Sequence, residues 1–374
     1  MELLFWLAFA FVAYTFVGYP VGIWALSRLR REEPAEPAAL AEWPAVTVVI
    51  AVHDEAARIP AKIENLRGLD YPPGRLHFLF VSDGSTDASE ALLAREPDVT
   101  LVRYAERRGK AHALNQALPC VTTPIVVFAD VRQQIERQAL RHLVARLMQP
   151  GVGAVSGELV HVDPRTRSAA HIGLYWRYEK WIRRSESRFA STVGVTGALY
   201  AMRREDYTPL APDTLLDDFE QPMLLARKGR RVVFEPRAVM YDELQEDVAG
   251  ERKRKIRTLT GNFQSFARHR WLFSPRSNPL FVQFVSHKWF RLLVPYALMV
   301  MWTASLLTTG PLYRLAAAGQ AAFYALAVLG ASIPRLRRSR LVSFAEVFVE
   351  LNRASVLALR NYLGGRVEAR WEKT

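Results

Sequence analysis

Carboxylates at the ends of apolar runs, with a basic stretch between them, are the residues of this sequence best suited to chemistry. Asp83 closes the run Phe78-Leu79-Phe80-Val81-Ser82 and is followed by Gly84-Ser85-Thr86-Asp87. Asp130 closes Ile125-Val126-Val127-Phe128-Ala129 in the same way. An apolar run that stops at a carboxylate, a glycine and hydroxyls is how a parallel sheet presents a polar ligand site at the carboxyl ends of its strands. For the Asp83 segment alone, a helix N-cap at Ser85 or Asp87 explains the residues equally well. A second carboxylate placed in the same way at Asp130 favours the ligand site. A carboxylate there can hold Mg²⁺ or Mn²⁺, through one or two protein ligands plus substrate phosphates.

Between these two runs lies Arg107-Arg108-Gly109-Lys110, followed by His112 and Asn115. Cations beside the exposed N–H groups of a helix N-terminus suit a diphosphate, although solvated surface charge accounts for Arg107 and Arg108 taken singly. Further on, Asp217-Asp218-Phe219-Glu220 follows Leu215-Leu216. Adjacent carboxylates repel, so one of them can have a raised pKa and be ready to take a proton; acids decorating a helix N-terminus give the same pattern. The run Arg252-Lys253-Arg254-Lys255-Ile256-Arg257 offers a basic face to phosphates or to a membrane surface.

Strands and helices in alternation must position these groups. Val46–Val52 is a near-continuous β-branched run of the kind buried in a parallel sheet, and Ile59, Ile63 and Leu66 then recur at helical spacing. Strands are predicted at Leu76–Val81, Val99–Tyr104 and Ile125–Phe128, with helices after Asp87 and over Lys110–Leu118. Further strands are predicted at Val152–Val160, Val193–Met202 and Arg231–Glu235. The fold class is therefore α/β, a wound sheet domain.

Outside that domain the chain is apolar in blocks. Half of the 374 residues are hydrophobic, and Leu3 to Leu26 carries no charge. That is long enough to cross a bilayer, and Leu292–Leu312 and Leu315–Ile333 read as a membrane hairpin. Arg28, Arg30 and Arg31 after the first block, and Arg335, Arg337, Arg338 and Arg340 after the last, put the intervening domain in the cytoplasm. The organisation expected is a transmembrane helix at 1–27, a linker at 28–44, a catalytic domain at 45–275, an interfacial helix at 276–291, a transmembrane hairpin at 292–334 and a basic C-terminal segment at 335–374. Leu341–Leu363 is interrupted by Glu346, Glu350, Arg353 and Arg360, so an interfacial helix suits it better than a fourth span. Membrane lipids and diphosphates explain the net charge of +13 better than nucleic acid does, since no nucleic-acid motif accompanies it. Cys120 is the only cysteine, which excludes an internal disulfide and a cysteine zinc site.

Together these residues resemble the family-2 glycosyltransferases of the GT-A fold, especially the cellulose synthase and hyaluronan synthase superfamily. The resemblance implies a GT-A Rossmann-like domain plus transmembrane helices, and inverting transfer of a hexose or N-acetylhexosamine. The donor would be a nucleotide-diphosphate sugar, with UDP the expected nucleotide, used with Mg²⁺ or Mn²⁺. Val48-Val49-Ile50-Ala51-Val52-His53-Asp54-Glu55 is similar to the family's first strand and nucleotide-binding turn. Asp83 matches the carboxylate that contacts the base, and Lys110 and Asn115 match elements beside the nucleotide. Thr196 and Gly197, in Val195-Thr196-Gly197-Ala198, match the acceptor-side turn. Asp217-Asp218 matches the Glu-Asp pair, with Asp218 as general base. Asp130 matches the metal ligand.

Two positions depart from the family pattern. Asp130-Val131-Arg132 stands where Asp-x-Asp is usual, so Arg132 would bind the diphosphate in place of some metal charge. In the segment aligned with Gln-x-x-Arg-Trp, Arg257 is kept to hold the diphosphate, while Thr258 replaces the tryptophan on which a growing polymer stacks; Trp271 or Trp289 would have to supply that platform. The acceptor would be a glycan or a lipid-linked molecule in cell-envelope or exopolysaccharide synthesis. Three spans are few for polymer export, so a dimer or an export subunit would have to complete a channel. A reading from another class is a degenerate nucleotide-sugar-binding scaffold of an export complex, and Arg132 is its argument.

Overall fold

The β-branched run at the start of the domain forms β1 (Val46–Val52), and its surroundings explain its composition. Val48, Ile50 and Val52 pack with Ile59, Ile63 and Leu66, while Val49 packs on the opposite face with Ala113, Leu114 and Ala117. A strand covered on both faces has no polar side to show, and each fully buried Val or Ile contributes roughly 1.5–3 kcal/mol. The structure is a computed structural model describing residues 1–30, 40–162, 174–243, 248–333, 335–336 and 339–367. Most of the linker expected at 28–44, and Arg337 and Arg338 of the basic cluster, lie outside the described residues.

The other strands are β2 (Leu76–Asp83), β3 (Val99–Tyr104), β4 (Ile125–Ala129), β5 (Gln134–Ile135), β6 (Val152–Val162), β7 (Leu199–Arg203) and β8 (Arg231–Glu243). They form one sheet in the order β3-β2-β1-β4-β7-β6-β8-β5. The first four pair in parallel, as the alternation of strand and helix predicts. β7 is antiparallel to both β4 and β6, and β5 is antiparallel to β8, so the sheet is mixed. The strand expected at Val193–Met202 begins only at Leu199, because the preceding residues spend their backbone elsewhere: the Val195 N–H bonds the Asp218 carbonyl at 2.9 Å. β8 runs on to Glu243, pairing Asp242 with His161 of β6.

The helices that matter to the site are α1 (Glu2–Arg28), α2 (Ile59–Arg67), α3 (Ser89–Leu93), α4 (Lys110–Ala117), α5 (Ala139–Leu147), α6 (Leu174–Phe189), α7 (Asp217–Arg227), α8 (Val248–Arg268), α9 (Phe281–Leu307), α10 (Pro311–Ser332) and α11 (Arg340–Leu363). Three of them, α1, α9 and α10, are long and apolar enough to cross a membrane. α9 is continuous from Phe281, so most of the segment expected as a separate interfacial helix is the first part of this one. The charges that suggested an interface are answered inside the protein. His287 lies 2.8 Å from Glu186 and 3.2 Å from Glu179 of α6, and Arg291 pairs with Glu179. Tyr19 of α1 donates to Glu186 at 2.5 Å, which ties the first span to the same helix. α11 packs against α8 and α10, with Glu350 on Arg252 at 2.7 Å.

Candidate active site

Because β7 runs against β4, its first residue, Leu199, lies opposite the last residue of β4, Ala129. The turn before β7 is thereby delivered to the rim where Asp130 stands, and the Asp130 N–H bonds the Ala198 carbonyl at 3.3 Å. Lys110, at the start of α4, crosses this rim. Its Nζ lies 2.9 Å from Asp130 Oδ1, 3.3 Å from the Gly197 carbonyl and 3.7 Å from Asp217 Oδ2. Burial works against the Lys110 charge, and Asp130 and Asp217 outweigh it, raising its pKa.

Asp217 and Asp218 open α7, as expected of acids at a helix N-terminus. Asp217 is 6% exposed, and its Oδ2 is buried without a hydrogen bond. Burial pushes its carboxyl up to about 6; Lys110 pulls it down, and Asp218 and Asp130 add to the rise. Burial also raises Asp218, against the pull of Lys110, Lys288 and Arg183. Gly197 packs directly on the Asp218 side chain: a Cβ there would lie 3.1 Å from Asp218 Oδ2. Thr196 beside it is held by Ser156, whose Oγ accepts the Thr196 N–H at 2.8 Å, and by Arg183, whose Nη1 donates to Thr196 Oγ1 at 3.1 Å. The third acid of the run, Glu220, is 1% exposed and accepts from Ser265 at 2.8 Å and Arg268 at 3.3 Å, so it fastens α7 to α8.

Three residues expected beside the nucleotide hold loops together. Asp83 is fully buried; its Oδ1 accepts from the Tyr104 hydroxyl at 2.8 Å and the Arg108 N–H at 2.7 Å, and its Oδ2 from the Gly109 N–H at 2.8 Å. Oδ2 keeps one acceptor site, but the side chain is fully buried, so a base reaches it only if the surrounding loops move. Asp54, at φ 53°, accepts from the N–H groups of Thr86 at 2.7 Å and Asp87 at 3.2 Å, and these bonds hold its pKa down. Asn115 bonds both backbone groups of Leu210 and the Tyr207 hydroxyl. None of the three lines the cavity described below, whereas Glu55 does. Gly84 shows why the loop closes over Asp83: φ is +61°, and a Cβ would lie 2.7 Å from the Arg107 nitrogen. Gly84→Ala is expected to cost about 1–3 kcal/mol or more. Gly74→Ala, at φ +73° with nothing within 4 Å, is the control, and equal Tm losses in the two variants would refute the close-approach argument.

A cavity of about 1050 Å³ opens between the rim, α7, α8 and the chain after α11. Its wall carries Arg58, Lys110, Arg132, Lys253, Arg254, Arg257 and Arg366 against Glu55, Asp130, Asp217 and Asp218, a balance suited to a polyanion. Arg132 lines it, but its Nη2 donates to the buried Asp242 at 2.6 Å, which takes up part of its fork. Burial lowers the pKa of Arg257, and the Arg257 Nε has no hydrogen-bond partner. Trp271 and Trp289 do not line the cavity; both pack on the cluster around Phe266 and Phe284. Ser156, Arg183, Asp242 and Arg366 escaped the sequence reading. Of these, only Asp242 leaves a local signal, an acid in a strand-like run.

Among the described residues no group of three or more His, Cys, Asp or Glu side chains is spaced to hold a metal. The donor set fits an ion held jointly with substrate phosphates: Asp130 is 40% exposed in its side chain and commits only Oδ1 to Lys110.

A mixed sheet with acids, a lysine and a basic wall at the carboxyl ends of its parallel strands, joined to membrane-type helices, is the arrangement of a GT-A domain. Residues 47–208 match the model of glycosyl transferase family 2. The mannosyltransferase PcManGT from Pyrobaculum calidifontis, solved with GDP-Man and Mn²⁺, superposes with a TM-score of 0.73 at 25% identity, covering 97% of this chain and 99% of that one. The poly-beta-1,6-N-acetyl-D-glucosamine synthase of Staphylococcus aureus (strain COL) is 23% identical over 236 residues, 60% of this chain and 56% of the relative. The Staphylococcus epidermidis synthase is 22% identical over 280 residues, 70% and 66% respectively. The chain thus spans 56% of the length of the first of these synthases. Residues 47–208 are thus similar to glycosyl transferase family 2, and the fold of the chain is that of its GT-A structural neighbour.

Proposed function

We propose that the chain is a membrane-bound inverting glycosyltransferase that moves a hexose or N-acetylhexosamine from a nucleotide-diphosphate sugar to a hydroxyl of a glycan or lipid-linked acceptor. The observation that carries this reading is the placement of Asp218, packed on Gly197 at the cavity wall, beside the Lys110–Asp130 pair. Asp218 takes the proton of the acceptor hydroxyl as its oxygen bonds to the anomeric carbon. The bond from that carbon to the diphosphate oxygen breaks, and the electron pair leaves with the nucleoside diphosphate. Lys110, Arg257 and Arg132 stabilise the departing charge. A divalent cation, Mg²⁺ or Mn²⁺, held by Asp130 and the diphosphate would supply further charge neutralisation. Asp54, Asp83 and Asn115 keep the nucleotide rim in shape.

The orientation follows from charge. Arg28 and Arg30 at the end of α1 and Arg335 and Arg340 after α10 support a cytoplasmic domain on a multi-pass inner-membrane protein. Thr258, together with the packing of Trp271 and Trp289 away from the cavity, supports addition of a single sugar in preference to a polymer. The test is nucleoside diphosphate release by the full chain in lipid nanodiscs, with Mg²⁺ or Mn²⁺ and with UDP-glucose, UDP-N-acetylglucosamine and GDP-mannose as donors. Release with at least one donor and an inverted anomeric product are expected. No release with any donor overturns the enzyme reading, and tight donor binding without release would instead favour the scaffold.

A further inference from the structure

Three of the cations on the cavity wall are already answered by carboxylates. Arg58 pairs with Glu55 at 2.7 Å, Arg132 with Asp242 at 2.6 Å and Lys110 with Asp130 at 2.9 Å. Arg257 and Arg366 differ: both line the cavity, and neither forms an ion pair with a described carboxylate. An anion bound in that cavity would be attracted by both guanidinium groups. A guanidinium also presents a planar fork that matches phosphate oxygens bidentately.

Arg366 reaches the cavity through a built turn. α11 ends at Leu363, and Gly364 closes it with its N–H on the Arg360 carbonyl at 2.9 Å. Gly365 then takes φ +67°, with its N–H on Tyr362 at 3.1 Å, and the Arg366 N–H returns to the Asn361 carbonyl at 2.9 Å. Such a left-handed glycine cap reverses the chain at a helix end. The turn is also fastened to α8, the helix that carries Arg257. Tyr362 stacks on Phe263, with ring centroids 6.3 Å apart and planes at 22°, and Leu359 and Val367 pack on the same apolar cluster. The C-terminal end of α11 therefore forms part of the cavity wall.

We propose that Arg366 is a phosphate-binding residue of the donor site, taking the diphosphate of a nucleotide sugar together with Arg257. The proposal rests on the nucleotide-sugar reading above and goes beyond it by making the chain after the last membrane hairpin a part of the donor site. The experiment measures binding of UDP, GDP, uridine and guanosine to the full chain in nanodiscs, for the unmodified protein, R366A and R366K. R366A is expected to bind whichever nucleoside diphosphate the unmodified protein binds roughly 10- to 100-fold more weakly, with the parent nucleoside unaffected and Tm unchanged. R366K, which keeps the charge and loses the fork, should fall between. If R366A binds the diphosphate as well as the unmodified protein does, the role of Arg366 is overturned and the transferase reading stands. If the unmodified protein binds neither UDP nor GDP, both fall. Should R366A melt lower, R366K is read in its place: selective loss of diphosphate binding supports the proposal, and parallel loss of diphosphate and nucleoside overturns it.

Discussion

Asp218→Asn is expected to lower sugar-transfer turnover by about 10²- to 10⁴-fold while nucleoside diphosphate binding stays close to that of the unmodified protein. The amide keeps the shape that packs on Gly197 and leaves the Asp218 carbonyl free to hold Val195, so the rim is preserved and only the proton acceptor is lost. The pH dependence gives a second reading of the same group. Burial raises both Asp217 and Asp218, the first to about 6, and the two carboxyls titrate as a pair. A base must be ionised to work, so kcat/KM is expected to rise with pH as the pair loses its proton, with the ascending limb above the usual carboxylate range. In Asp217→Asn one repelling neighbour is gone, and the limb should move to lower pH. Full turnover by Asp218→Asn would refute its assignment as base, and an unmoved limb in Asp217→Asn would refute the coupling.

Lys110→Met is expected to damage both stability and activity. The substitution keeps an apolar stem and removes the ammonium that Asp130 and Asp217 share at 2.9 and 3.7 Å. Leaving a buried charge without its partner costs about 3–5 kcal/mol, and less here because the Asp130 side chain is 40% exposed. The sign of the pH dependence separates this cause from lost packing. Asp217 already has a folded pKa above its unfolded value, so its contribution to stability is fully present below the unfolded pKa and is lost as pH rises through about 6. Without Lys110 the carboxyls are pushed higher still. The Tm deficit of Lys110→Met should therefore be large at pH 7 and shrink towards pH 4. A deficit that does not change with pH would point to packing alone.

Much of the domain is legible in the chain because burial on both faces leaves a local mark. Val46–Val52 can be apolar throughout only if both sides are covered, and it is a central strand. The turns that carry Asp83 and Asp130 are likewise marked by a change from apolar to polar residues at a strand end. Orientation within the sheet is different. Nothing in Leu199-Tyr200-Ala201-Met202-Arg203 says that it runs against its neighbours, since an antiparallel strand buried on both faces reads like a parallel one. Residue type also does not disclose whether an acid faces a ligand or a backbone. Asp83, Asp54 and Asp218 are all carboxylates at the same rim, yet the first two are occupied by N–H groups brought from other loops.

The sequence by itself determined the alternation of strand and helix, the acids and lysine at the strand ends, and the three apolar stretches, because each is written in contiguous residues through periodicity, turn chemistry or length. Only the tertiary structure decided which cations remain available. Arg132, read as a free diphosphate ligand, meets Asp242 from a strand more than 100 residues away, while Arg366, with no motif around it, is carried onto the cavity wall by the packing of α11 on α8. Ion pairing depends on distance in space, and chain position does not encode it until the long-range contacts have formed.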